Sequence, residues 1–336
     1  MPDWYGFSLG TSPYNGQEWS YTTYQGWKNA LTYASQWKLN AHRLHFYFKD
    51  GAGVEVPDAT LWAQLDNCMR AISESGAKAI LDLHNFGGLA AWSVQIGSEI
   101  WFRKWLTLVE HFKNDPRVLA WEIYNEPAAE YLDPSYYVPV TRYGYVEGLM
   151  KAQYDLSVQI RQIDPNRPIV WAAYYTSGSE FISPKSSPIT HTDYTALIQN
   201  IILSVHPYSY GARSTAEEML ADWNYRLQYI NFWAEAYPVW FGEIECHSSG
   251  TSVTLPMEER IALEEEYVAR VLNYGYLNHI GFAIWKYPYM DLGGTDADHV
   301  LAQSGYVPQS LGTLPFYDNV VNLNNWMNLK GTWSTK

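Results

Sequence analysis

The chain has little cysteine. Cys68 and Cys246 are the only two, so no disulfide framework can hold the fold and one bridge is the most it could form. Charge is scarce too: Asp, Glu, Lys and Arg make up 17 % of residues, and 22 basic side chains face 35 acidic ones. The formal net charge of −13 argues against nucleic acid and anionic membranes as partners, since both recruit surplus Lys and Arg. No apolar run approaches the roughly 18 residues of a membrane span. The opening MPDWYGFSLG has no basic or apolar signal region. The expectation is a protein that stays inside the cell, or one exported with a leader this sequence does not include. No N-x-[ST] acceptor occurs. Also missing are G-x-G-x-x-G, Walker, G-x-S-x-G and H-E-x-x-H motifs, which removes the usual signals for dinucleotide, nucleotide, esterase and zinc-protease chemistry.

What the chain does have is apolar and aromatic residues. Hydrophobic residues make up 47 % of its 336 residues and aromatics 16 %, including 16 Trp and 28 Tyr. Most of these belong in a core, and the excess among Gly, Asn and Ser suits surfaces that stack on sugar rings. Short β-rich runs alternate with amphipathic helical stretches. Strands are expected near Trp4–Gly10, Ala41–Phe46, Lys78–Asn85, Val118–Asn125, Pro168–Tyr175, Ile201–Ser209, Val239–Cys246 and Gly281–Pro288. Helices are expected over Thr22–Trp37, Asp58–Ser75, Gly97–Asn114, Arg142–Ile163, Thr215–Ala236, Pro256–Tyr276 and Asn319–Asn328. Parallel neighbours need crossovers of helical length, so this alternation implies a parallel sheet. The segment after the first strand, GTSPYNGQEW, is no phosphate loop. A closed (β/α)8 barrel is therefore favoured over an open sheet. With no linker, repeat or low-complexity tract, the expectation is one domain.

Two strand ends carry carboxylates. WEIYNEP, Trp121 to Pro127, closes an apolar run and brings Glu126 to the carboxyl end of a strand, the catalytic face of a barrel. Strict alternation would aim Asn125 and Glu126 to opposite sides, so both reach a site only if the backbone turns there. PVWFGEIEC, Pro238 to Cys246, closes a second run on Glu243, and Gly242 leaves room for close approach of backbone. Splitting a glycosidic bond needs one carboxyl to protonate the leaving oxygen and another to attack the anomeric carbon or activate water. Glu245 is a rival nucleophile. Other strand ends carry Arg43, His84, His206 with Tyr208, and Trp285. A core histidine, a packed tryptophan or an ordinary ion pair would explain each alone, but not their common position.

In that order, Arg43, His84, Asn125 with Glu126, His206 with Tyr208, Glu243 and Trp285, the set resembles glycoside hydrolase family five, cellulase-like retaining barrel glycosidases, over Trp4 to about Pro288. The resemblance implies that Glu126 is the acid/base and Glu243 the nucleophile, held by Arg43 and Tyr208. It implies that Asn125 bonds a 2-hydroxyl, that His84 and His206 line the cleft, and that Trp285 forms a stacking floor. One departure stands out: relatives often follow the nucleophile with an aromatic residue and Gly, where this chain has Ile244 and Glu245.

A metal is not expected, nor any cofactor. His42 and His45 should face opposite sides of a strand, Cys246–His247 lacks partners at ligand spacing, and Asp291, Asp296 and Asp298 lack the spacing of a calcium loop. The HNFGG stretch, His84 to Gly88, resembles a turn of cellulases in this family. Together with Tyr14, Trp19, Phe86, Trp92 and Tyr210 it favours an endo-β-1,4-glucanase over a β-mannanase or an exo-β-glucosidase. A sugar-binding protein on a decayed barrel would tolerate loss of a carboxylate, and both survive. A Schiff-base aldolase would depend on Lys286, the neighbour of Trp285. The expected partner is a β-linked polysaccharide or oligosaccharide, the expected state a monomer, and the expected place of work extracellular.

Overall fold

A computed structural model of the chain describes residues 4–10, 24–25, 27–28, 31, 39–84, 93–127, 131–137, 144–172, 198–207, 209–210, 215–244, 246–247, 267, 270–272, 274–275 and 277–287. Eight parallel strands close into a barrel. They are β1 (Tyr5–Gly10), β2 (Ala41–Phe46), β3 (Lys78–Leu83), β4 (Val118–Glu122), β5 (Ile169–Ala172), β6 (Ile201–Val205), β7 (Val239–Ile244) and β8 (Phe282–Tyr287). Each pairs with its sequence neighbours, and β1 closes the ring against β8. All eight expected strands are present. β1 and β2 end where expected, but β4 stops at Glu122 and β6 at Val205, before Asn125, Glu126 and His206. Those residues therefore sit on the segments leaving the strands.

Four long helices lie between strands as expected: α1 (Asp58–Glu74), α2 (Glu99–Phe112), α3 (Gly144–Ile163) and α4 (Ala216–Ala236). In α2 the Ser98 side chain accepts from the Trp101 amide at 3.3 Å, capping the helix. Its buried residues Trp101, Lys104, Trp105, Leu108, Val109 and Phe112 recur at helical spacing and turn one face to the barrel. Of the expected helix 22–37, Tyr24, Gln25, Trp27, Lys28 and Leu31 are helical. Of the helix 256–276, Tyr267, residues 270–272, Tyr274 and Gly275 are helical, whereas Asn319–Asn328 lies outside the described residues. Cys68 is a free, buried thiol, so the one possible bridge is not formed.

The period-two alternation of strands divides the core. Leu44, Phe46, Ala79, Leu81, Leu83, Trp121, Leu203, Val239 and Phe241 belong to the large cluster shared with the helices. Ala41, Ile80, Ala120, Val170, Ile202, Trp240 and Ala283 form a second, smaller cluster with Trp4 and Leu119 packed on it. This second set is one layer of the barrel interior, contributed by seven of the eight strands. Two residues further along the same strands the interior turns polar, and the site begins there.

Candidate active site

The polar layer is built from residues of the same parity as the apolar one. Ser8, Arg43, Asp82, Glu122 and Ser204 are at most 2 % exposed. Arg43 organises them. Its Nε donates to Glu122 Oε2 at 2.6 Å, and one terminal nitrogen donates to Glu122 Oε1 at 2.9 Å and to Asn125 Oδ1 at 2.7 Å. The other terminal nitrogen donates to Glu243 and to His45 Nε2, the latter at 3.3 Å. A guanidinium has five N–H donors and no acceptor, so all five are engaged, and His45 Nε2 must be an unprotonated acceptor. Asp82 receives charge without a hydrogen bond: its Oδ1 lies 3.1 Å from Arg43 yet has no hydrogen-bond partner. Its Oδ2 faces His84 Nδ1 at 2.8 Å.

Asn125 and Glu126 both reach this centre because the chain turns. Glu126 has φ 38°, a left-handed conformation uncommon for a residue with a side chain. The segment before it is pinned from outside the barrel: the indoles of Trp101 and Trp105 both donate to the Ile123 carbonyl, at 3.1 and 3.0 Å. The Asn125 amide donates to Leu83 O at 3.0 Å, and the Tyr124 hydroxyl to Val94 O at 2.9 Å. Two helical tryptophans thus hold the backbone that aims the carboxylate.

Glu243 reaches the centre by a different device. Trp240 belongs to the inner apolar layer, while Phe241 and Ile244 pack outward. Plain alternation would turn Glu243 outward as well. The β7–β8 register shifts between Phe282 and Ile284, whose partners are Phe241 and Ile244, so one extra residue sits on β7. Such a bulge re-aims a side chain. Gly242 makes room for it, since a Cβ there would overlap Ser204 Oγ and His206 Nε2.

The carboxylates then meet around His206. Its Nδ1 lies 2.8 Å from Glu126 Oε1 and 3.4 Å from Glu243 Oε2, and one oxygen of each glutamate lies within 4.8 Å of the other. Burial pushes His206 down to about 4, so the ring is neutral at pH 7. Burial also raises Glu122, Glu126 and Glu243 above the usual carboxylate range, with Arg43 opposing it in each. Asp82 is pushed up to about 7 for the same reason, and the nearby charge of Glu126 adds to the rise. Four carboxyl groups around one permanent cation cannot all ionise without a large cost.

Atoms of Glu126, His206 and Glu243, and of His45, His84 and Glu243, converge within 4.8 Å. A cation there would compete with the Arg43 guanidinium for Glu243 and with the hydrogen bonds joining these groups. The arrangement suits proton transfer and nucleophilic attack.

Among the expected site residues, Arg43, His84, Asn125, Glu126, His206 and Glu243 come together. Trp285 lies within β8, its side chain undescribed. Tyr208 and Glu245 lie outside the described residues, as do 85–92 with most of the HNFGG stretch, and Tyr14 and Trp19. Sequence reading passed over Asp82 and Glu122 and weighed His45 only as a metal ligand. A signal for them exists: Arg43 and His45, Asp82 and His84, share a parity on adjacent strands, and β2–β3 register pairs His45 with Asp82.

The model of the cellulase family, glycosyl hydrolase family 5, matches residues 3–291. The chain belongs to glycosyl hydrolase family 5. No curated protein matches it in sequence. Solved structures of the same fold include the catalytic domain of the major endoglucanase of Xanthomonas campestris pv. campestris, 16 % identical with a TM-score of 0.63 over 96 % of this chain and 94 % of that one. A family 5 xyloglucanase of Paenibacillus pabuli is 15 % identical, with a TM-score of 0.62 over 97 % of both chains. An endo-β-mannanase/endo-β-glucanase of Prevotella bryantii is 18 % identical, with a TM-score of 0.57 over 90 % of this chain and 48 % of that one. As a family 5 member the chain is a glycoside hydrolase on a (β/α)8 barrel, and these structures share that fold with it.

Proposed function

We propose that this family 5 enzyme is a retaining endo-β-1,4-glucanase, with Glu126 as general acid/base and Glu243 as nucleophile. The observation that carries the reading is the approach of the two glutamates, an oxygen of each within 4.8 Å, from the segment after β4 and from β7. Retaining enzymes hold their carboxyl groups about 5–5.5 Å apart, whereas inverting ones leave room for a water at about 6.5–9.5 Å. Arg43 donates to Glu243 and favours its ionised form. Burial raises Glu126, and a second charge beside ionised Glu243 is disfavoured, so Glu126 holds the proton. Glu126 passes that proton to the glycosidic oxygen while Glu243 attacks the anomeric carbon. Formation of the glycosyl ester removes the charge on Glu243, so Glu126 now accepts a proton from the water that releases the sugar.

Asn125, fixed by Arg43 at 2.7 Å, serves the sugar 2-hydroxyl, and His84 and His206 line the cleft. Tyr208 orients the nucleophile and Trp285 forms the floor for the reacting ring. The substrate is a β-glucan, bound by a monomer that needs no cofactor, and a polymer of that size places the work outside the cell. A β-mannan is the second reading, because solved structures of the fold include an endo-β-mannanase/endo-β-glucanase.

The test is release of reducing ends from carboxymethyl cellulose, mixed-linkage β-glucan and galactomannan, with Glu243→Ala alongside. Rapid viscosity loss on the glucans, abolished by the substitution, is the expected result. Cleavage of galactomannan alone overturns the substrate, and activity surviving Glu243→Ala overturns the nucleophile.

A further inference from the structure

Beneath the glutamates lies a buried pair that the double-displacement chemistry does not use, Asp82 and His84, which are 0 % and 3 % exposed. Asp82 Oδ2 and His84 Nδ1 are 2.8 Å apart, and Asp82 Oδ1, 3.1 Å from Arg43, has no hydrogen bond. The groups around the pair are already committed. On β2, Arg43 has its five donors engaged and His45, stacked on His84 at 3.9 Å between ring centroids, accepts from Arg43 through Nε2. From β4 and its end come the carboxyls of Glu122 and Glu126, and from β7 that of Glu243.

With Asp82 ionised, its oxygen can only accept, so His84 Nδ1 carries the hydrogen and Nε2, at the far side of the ring, is an unprotonated acceptor. Asp82 Oδ1 lies 3.1 Å from Arg43, which offers no acceptor, so a proton added to the pair resides on Oδ2 or on the ring, and either place reverses this. If it sits on Asp82, the acid donates to Nδ1 and the ring hydrogen moves to Nε2. If it sits on the ring, the imidazolium carries hydrogen on both nitrogens. In either case Nε2 becomes a donor. A stacked imidazole and a guanidinium alongside disfavour the imidazolium, and ionised Asp82, without a hydrogen bond at Oδ1, has the charge of Arg43 to set against its burial.

We propose that Asp82 is a positioning residue that sets, through the single proton it shares with His84, whether His84 offers the substrate a hydrogen-bond acceptor or a donor. The proposal rests on the reading of His84 as a residue lining the sugar cleft. Near neutral pH, where burial puts Asp82, the enzyme then has two forms with different affinity for sugar hydroxyls. The pair titrates as a unit, so the transition belongs to both residues.

The experiment follows His84 by ¹⁵N NMR of the histidine-labelled enzyme across neutral pH, beside KM and kcat profiles of wild type, Asp82→Asn, His84→Ala and the double variant. The expected results are conversion of His84 Nε2 from bare to protonated as pH falls, and its suppression in Asp82→Asn. KM should shift several-fold over the same range in wild type and not in Asp82→Asn. In the His84→Ala background, Asp82→Asn should change KM no further, the non-additivity of residues acting through one another. An Nε2 signal that is constant with pH, or equal effects of Asp82→Asn with and without His84, overturns the proposal. The NMR readout needs no turnover, so inactivity on every polymer would overturn the glucanase reading and leave this test intact.

Discussion

Two layers of the barrel interior sit two residues apart on the same strands, three on β7 where the bulge lies, and differ in what they do for the molecule. In the lower one Ala41, Ile80, Ala120, Val170, Trp240 and Ala283 are at most 4 % exposed and contribute apolar burial, which stabilises the fold at about 25 cal/mol per Å². In the upper one Arg43, Asp82, Glu122 and Glu243 are equally buried, and burial there raises every carboxyl group. The lower layer gains by excluding water; the upper layer resists it and is held by geometry. The same pleat serves stability at one level and chemistry at the next, so a substitution in one should separate from a substitution in the other.

The widest separation is expected at Glu243. Glu243→Ala should reduce turnover by roughly 10⁴-fold or more, the scale on which enzymes lose a nucleophile. Glu243→Gln, which keeps the shape and drops one of four clustered carboxylates, should leave the Tm in a thermal scan equal to or above that of wild type. A lower Tm would show that Glu243 stabilises the layer. Arg43→Ala comes next, because removing it strands Glu122 and Asp82 as uncompensated buried acids. Unfolding in urea should register a loss of about 3–5 kcal/mol, together with activity. In the lower layer, Ile80→Ala should cost about 2–5 kcal/mol in the same titration while the folded fraction keeps its kcat. A loss of kcat there would mean that the two layers are coupled.

The smallest effect is one of slope. Asp82 has an ordinary value of 3.8 and a folded value of about 7. Between these limits the folded state holds a proton that the unfolded state has released, so stability falls as pH rises through the window and levels off above it. Glu122, Glu126 and Glu243, also raised, act with the same sign. The Tm of Asp82→Asn should therefore vary less with pH over this range than that of wild type. A steeper dependence in the variant would contradict the assignment of a raised Asp82.

Comparison with the solved structures speaks to the fold, since identities of 15–18 % in the three cited relatives accompany TM-scores of 0.57–0.63.

By itself the sequence determined the barrel and the order of its candidate site residues. Alternating β-rich and helical patterns are local signals, and a parallel sheet with helical crossovers is their natural closure. Glu126 and Glu243 were legible because each closes an apolar run. Only the tertiary structure decided how they come to face one another. Alternation along β4 and β7 would misdirect Glu243 and separate Asn125 from Glu126. A bulge at Gly242–Glu243 and the positive φ of Glu126, braced by Trp101 and Trp105, correct both. Asp82 and Glu122 were passed over for a related reason: a carboxylate within an apolar run acquires meaning from the guanidinium it meets, here that of Arg43 one strand from Asp82 and two from Glu122, and that partner is set by register and closure. Pattern is encoded along the chain, whereas direction and partnership arise from contacts between residues as far apart as Arg43 and Glu243.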